Sequence, residues 1–160
     1  MTSVKSSASQ TERSPHPRTR PHSTPVRRRL LVLAGAPGQV AKARDFTRRA
    51  LREWELDGTE TSEDALLLVS ELVANAALHA GGCQYLALSR GDAVRVEVCD
   101  GSPELPRRRF GARPGVPGNH GLRIVDRLCD RWGSEAHAPG KVVWAEIGTS
   151  RLVAGGPVRR

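Results

Sequence analysis

The sequence is poor in cysteine, and its three cysteines lack the spacing of a metal or redox motif. None of Cys83, Cys99 and Cys129 belongs to a C-x-x-C pair, which excludes the common zinc and dithiol sites. The odd count also leaves at least one thiol without a partner in the chain. Because free thiols persist in a reducing compartment, we expect buried, unpaired cysteines in a cytoplasmic protein.

The sequence also lacks long apolar runs. No run reaches the roughly 18 residues that a membrane-spanning helix needs. The N-terminus has no apolar segment of the kind that a secretory signal peptide carries. We therefore expect a cytoplasmic protein without a membrane partner. A length of 160 residues predicts one domain, long enough to bury a hydrophobic core.

Acidic residues are scarce at the N-terminus, where most of the net charge of +8 is located. Residues 1–29 carry seven basic residues and one acid, a net of +6, so the rest of the chain carries only +2. Residues 1–28 are rich in Ser, Thr, Pro and Arg and predict a disordered basic tail. A basic arm for anionic partners is the alternative, but the tail has no aromatic residues to stack on bases, which disfavours nucleic-acid binding.

Hydrophobic periodicity predicts one α+β domain over residues 29–148, followed by a tail at 149–160. The order β-α-α-β-β-loop-α-β-β favours a two-layer sandwich, in which helices cover one face of a mixed, mostly antiparallel sheet. We expect Thr61 or Ser62 to cap the second helix and Gly81-Gly82 to end it. The predicted strands are 29–34, 83–89, 93–99, 134–137 and 141–147, and the predicted helices are 38–54, 64–80 and 121–132.

The second predicted helix is apolar on almost every side. One stripe is formed by residues at i, i+3 and i+4 spacing, while Glu71 and Asn75 lie one turn apart on another strip. The neighbours on that strip are Leu67, Leu68 and Leu78, so we expect this side to be covered as well. The polar pair then has either hydrogen-bonded partners in the core or a pocket that supplies them.

Three more features carry the residue types that a nucleotide site uses. Asp100 ends a predicted strand and is followed by Gly101, and a strand-end carboxylate can accept a hydrogen bond from an exocyclic amine. Residues 100–118 hold four Pro and four Gly, and a loop of this length is usually functional. Gly118 and Gly121 flank the start of a helix, whose backbone N–H groups can bind phosphate. Each signal is weak when it is taken singly.

Taken together, these motifs resemble the GHKL ATPase/kinase superfamily. The resemblance covers roughly residues 30–148, and within the superfamily it is closest to small, stand-alone ATP-binding regulators similar to the anti-sigma-factor serine/threonine kinases of high-GC bacteria. The motifs are SELVANAALH at 70–79, VEVCDGSP at 96–103, HGLRIVD at 120–126, DRWG at 130–133 and GKVVW at 140–144.

The resemblance implies a Bergerat-type fold with ATP and Mg²⁺ as cofactors. Glu71 would be the catalytic base or water-orienting residue, Asn75 would bind Mg²⁺, and Asp100 would hold the adenine amino group. Residues 101–120 would form the ATP lid. The other implied nucleotide contacts are Ser102, Gly118, Gly121, Leu122 and Lys141.

The implied activity is a serine/threonine protein kinase acting on a small anti-sigma-factor antagonist, with a sigma factor as a second partner and a homodimer as the assembly. Three positions depart from the superfamily pattern: Ser102-Pro103 follows the first glycine, Asn119 replaces a lid glycine, and Val142 replaces a threonine. The alternative is therefore a non-catalytic module, gated by nucleotide or binding only protein, with a degenerate lid.

Overall fold

The structure is a computed structural model that describes residues 25–102, 120–138 and 140–149. Most of the N-terminal tail, for which disorder was predicted, and most of the predicted lid lie outside these residues. Five strands and three helices follow one another along the described chain: β1 Arg27–Val32, α1 Gln39–Glu53, α2 Glu60–Ala80, β2 Cys83–Arg90, β3 Ala93–Asp100, α3 His120–Leu128, β4 Arg131–His137 and β5 Gly140–Gly148.

The five strands form one sheet in the order β1-β2-β3-β5-β4, and all four pairings are antiparallel. This confirms the predicted α+β class, although no parallel pairing occurs among the described strands. Period-two alternation places Val96 between Leu88 and Ala145 on the side that joins the core. The helices pack on that side, so the sheet and the helices form two layers around one core.

The first turn of α2 corrects the predicted cap. Thr59 is the N-cap residue, with an extended backbone, and its side chain accepts from the N–H of Ser62 at 3.1 Å. Ser62 returns a hydroxyl oxygen to the N–H of Thr59 at 3.0 Å, so the two residues form a capping box. The prediction of Thr61 or Ser62 as the cap was wrong because both lie inside the helix, where Ser62 is the third helical residue. Gly81 ends α2 in the left-handed region, as predicted.

Trp132 corrects the predicted extent of the third helix. The helix ends at Leu128, and Trp132 lies in β4, opposite Ala145 of β5. Its indole nitrogen donates to Oδ1 of Asp126 at 2.5 Å, which holds the strand against the helix. Apolar spacing alone did not show whether Trp132 packs against the core from a further helical turn or from the strand that follows the helix.

The other expectations can be compared directly with the described chain. The strand predicted to start at 29 begins at Arg27, so two residues assigned to the tail belong to β1. All three cysteines are free and buried, as predicted. Within the described ranges, no helix is long and apolar enough to cross a membrane.

Candidate functional site

A buried ion pair joins the end of β3 to the start of β5. Asp100 and Lys141 are cross-strand partners, and both face the helical layer, on the same side as Val98 and Val143. The Lys141 ammonium lies 3.0 Å from each carboxylate oxygen of Asp100, and the two side chains are only 6% and 3% exposed. Removing one partner from such a pair leaves an uncompensated buried charge, at a cost of about 3–5 kcal/mol.

Asp100 also organises the backbone that follows it. Its Oδ1 accepts a hydrogen bond from the N–H of Ser102 at 2.9 Å, and the Lys141 ammonium reaches the Ser102 carbonyl at 3.4 Å. Ser102 is therefore held by the pair through its main chain. The structure places three predicted site residues together at one end of the sheet.

Gly140 makes this arrangement sterically possible. A Cβ atom at residue 140 would lie 1.8 Å from the carbonyl oxygen of Asp100 and 2.8 Å from the Cα of Gly101. No side chain fits there, so only glycine lets β5 begin against the end of β3. The sequence alone does not predict this role of Gly140, because a close approach between segments 40 residues apart leaves no local signal.

Glu71 and Asn75 lie on the half-buried side of α2. The main stripe of the helix is buried as predicted, including Leu66, Val69 and Val73. The prediction that the second strip would also be covered was wrong for the described part of the chain: Leu68 is buried, but Leu67 is 40% and Leu78 is 73% exposed. This strip is therefore open rather than enclosed by core side chains.

The polar pair on this strip has no partner of its own in the described structure. Within residues 25–102, 120–138 and 140–149, neither the Glu71 carboxylate nor the Asn75 amide has a hydrogen bond or ion pair. Of the two possibilities that the sequence left open, hydrogen-bonded core groups or groups facing a pocket, the structure disfavours the first. Both side chains are half-buried.

The start of α3 lies on the same layer as α2. Gly121 and Leu122 are in the first turn of α3, which begins at His120 and packs against α2. The N-terminus of a helix offers free N–H groups and a partial positive charge. Gly118, predicted as a further contact, lies outside the described residues. The predicted site residues that the structure describes therefore come from α2, the β3–β5 junction and the start of α3.

A family comparison matches this whole arrangement. The model of the histidine kinase-like ATPase domain matches residues 33–147, which begin just after β1 and end one residue before the end of β5. The chain belongs to this family. A comparison with curated proteins gives no match. The match confirms the superfamily expected from the motifs, and it supports an ATP-binding regulatory function.

The residues of this histidine kinase-like ATPase domain fit an adenine nucleotide with Mg²⁺. The Asp100 carboxylate is a buried acceptor suited to an exocyclic amine, and the Asn75 amide supplies a hard oxygen. Among the described residues, no three His, Cys, Asp or Glu side chains converge as a metal site. An amide oxygen is a ligand of the kind that Mg²⁺ takes when it is also bound by phosphates and water.

The thiols beside Asp100 are not nucleophiles in this ATPase domain. Burial, with the neighbouring Cys99 and Asp100 charges, raises the pKa of the Cys83 thiol to about 12. Burial likewise raises the pKa of Cys99. Because only the thiolate is nucleophilic, both groups stay protonated and unreactive at neutral pH.

Proposed function

We propose that this chain binds ATP and Mg²⁺ beside the Asp100–Lys141 junction and acts as a serine/threonine protein kinase. The single observation that carries the nucleotide half of the proposal is the buried Asp100 carboxylate at the strand end, within a chain that matches the histidine kinase-like ATPase domain. The substrate we propose is a small protein of the anti-sigma-factor antagonist type.

Each side chain has a defined task in this proposal. Asp100 accepts from the adenine amino group, and the Asn75 oxygen binds Mg²⁺. The N–H groups of Gly121 and Leu122, at the start of α3, hold phosphate oxygens. Bound ATP–Mg²⁺ supplies the transferable phosphoryl group, and the protein contributes position and charge.

Glu71 is the proposed base because of where it lies. It is one helical turn from Asn75, on the open strip between Leu67 and Leu78, so a seryl hydroxyl of another protein can approach it. The exposed leucines give that protein an apolar surface next to the carboxylate. A sigma factor as a second partner, and a homodimer as the assembly, complete the proposal and rest on the resemblance.

Phosphate transfer is the direct test of the kinase. The full chain is incubated with labelled ATP, Mg²⁺ and a cognate antagonist protein, and the label on the antagonist is measured. We expect Glu71→Ala to lower the transfer rate by about 10²-fold or more, the usual contribution of a general base. Glu63→Ala is the matched control, since Glu63 is an exposed carboxylate on the same helix. No transfer by the wild type would refute the kinase.

One observation favours a second candidate, a nucleotide-gated binding module without turnover. Among the described residues, nothing orients the Glu71 carboxylate, whereas a working base is normally held in position by a partner. In that case ATP–Mg²⁺ would bind, Asn75→Ala would abolish binding, and Glu71→Ala would change nothing. Calorimetric titration of the three proteins, combined with the transfer assay, separates the two candidates.

A further inference from the structure

Asp100 does not face the proposed nucleotide alone, because Lys141 is paired with it. We propose that the two side chains recognise the base together: Asp100 accepts from the amino group, and Lys141 donates to the ring nitrogen beside that group, N1 of adenine. This inference rests on the proposed nucleotide function and makes Lys141 a specificity-determining residue for the same site.

The carboxylate has capacity left for a ligand. Oδ1 already accepts from the N–H of Ser102 at 2.9 Å and from the Lys141 ammonium at 3.0 Å. Oδ2 is within 3.0 Å of the same ammonium and has no other contact among the described residues. Since each carboxylate oxygen has about two acceptor positions, Oδ2 can take one more donor.

The ammonium also has a donor that can be redirected. The Lys141 ammonium has three N–H groups. Its short contacts are to the two carboxylate oxygens of Asp100. Its remaining contact, to the carbonyl of Ser102, is 3.4 Å long, beyond the usual range of an N–H···O hydrogen bond. A nearby acceptor nitrogen can replace this weak contact at little cost.

The pair therefore presents an acceptor and a donor side by side, 3.0 Å apart. Adenine carries the complementary groups on neighbouring atoms, an amino donor and a ring-nitrogen acceptor. Because Asp100 and Lys141 are both buried, water cannot readily replace the hydrogen bond that a base lacking either group fails to make. Sites of this kind discriminate strongly against analogues that lack one hydrogen-bonding group.

A structural role by itself gives a weaker account of the pair. Taking two charges out of water costs several kcal/mol per ion, and well-packed apolar residues often stabilise a fold as well or better. The junction of β3 and β5 is already fixed by continuous pairing from Ala93–Gly148 to Asp100–Lys141 and by the close approach at Gly140. A buried lysine is therefore better explained by recognition.

The test compares ATP with analogues that lack single ring nitrogens. Affinities of the full chain are measured by calorimetry with Mg²⁺ for ATP, for 7-deaza-ATP and for 1-deaza-ATP. We expect 1-deaza-ATP to bind about tenfold more weakly than ATP or worse, the effect of one hydrogen bond to a charged group. The 7-deaza analogue should bind like ATP, because N7 is not read by either side chain.

Two variants assign the effect to Lys141. Lys141→Met should bind ATP and 1-deaza-ATP with equal affinity, whereas Lys42→Met, at an exposed lysine of α1, should keep the tenfold preference. If Lys141→Met fails to fold, the analogue comparison on the wild type still tests whether N1 is read. Equal affinity of the wild type for ATP and 1-deaza-ATP would overturn this inference and leave the proposed function standing. No affinity for ATP would overturn both.

Discussion

At the scale of single residues, Gly140 is required for a steric reason. A Cβ there would overlap the Asp100 carbonyl oxygen at 1.8 Å, so Gly140→Ala must push β5 away from β3. We expect a loss of about 1–3 kcal/mol in the free energy of unfolding, the usual cost of overpacking. Urea unfolding measures it. Gly91→Ala is the control, because its Cβ would meet only Val26 at 3.7 Å.

The Cys83 thiol gives a second residue-scale prediction. Its raised pKa, about 12 against an ordinary 9.0, means that the folded state favours the protonated form. The corresponding stability is complete below pH 9 and is lost as the pH rises toward 12. Comparing the wild type with Cys83→Ala between pH 8 and 11, we expect the alkaline loss of stability to be smaller in the variant. A parallel loss in both proteins would contradict the assignment.

At the scale of elements, α2 depends on the Thr59 cap. The hydroxyl of Thr59 satisfies a backbone N–H that would otherwise be unpaired at the helix start. We expect Thr59→Ala to cost about 1 kcal/mol in the free energy of unfolding, and Thr59→Gly only a few tenths. Chemical denaturation distinguishes these values. If Thr61→Ala destabilised the helix more than Thr59→Ala does, the cap would be misassigned.

The sheet face away from the helices carries a network of ion pairs. Glu146 of β5 lies between Arg95 of β3, at 2.9 Å, and Arg131 of β4, and Arg95 also pairs with Glu97 at 2.9 Å. The Arg95 guanidinium lies 4.3 Å from the centre of the Trp144 ring. These contacts link β3, β5 and β4 across their open side, where helices give no support.

This network of ion pairs predicts that stability depends on pH in the acid range. Burial works to raise the pKa of Glu146, but the hydrogen bonds and charges of Arg131 and Arg95 outweigh it and hold the pKa below 4.5. The stability that Glu146 contributes is therefore present above pH 4.5 and is lost as the pH falls through the lowered value. We expect Glu146→Gln to unfold less steeply than the wild type below pH 4.5. Identical acid-unfolding curves would contradict this.

Most of the helices and strands could be predicted from the sequence. Period-two alternation in residues 94–98 and helical spacing in residues 64–80 identified β3 and α2, because burial on one face repeats at the period of each element. The predictions of two helix boundaries were wrong for a physical reason. Thr59 is held by hydrogen bonds with Ser62, and Trp132 by a hydrogen bond to Asp126. Apolar spacing does not show which polar groups will meet.

At the scale of the whole molecule, the sequence singled out Asp100 and Lys141 as candidate residues but did not predict that they would meet. Asp100 and Lys141 were separate signals, 41 positions apart. Their alternation sets which face each one occupies, but only the register of β3 against β5 brings them to 3.0 Å. The open strip around Glu71 was also not predictable, since the exposure of Leu67 and Leu78 depends on what the other elements leave uncovered.

The measurement that tests the central claim most directly is thermal unfolding with and without ATP–Mg²⁺. At a hundredfold excess over Kd, binding to the folded state adds about 2.7 kcal/mol, which raises the Tm of a chain of this size by roughly 5–10 °C. The account predicts this rise for the wild type and for Glu63→Ala, and its loss in Asn75→Ala. An unchanged wild-type Tm, or an equal rise in Asn75→Ala, would contradict it.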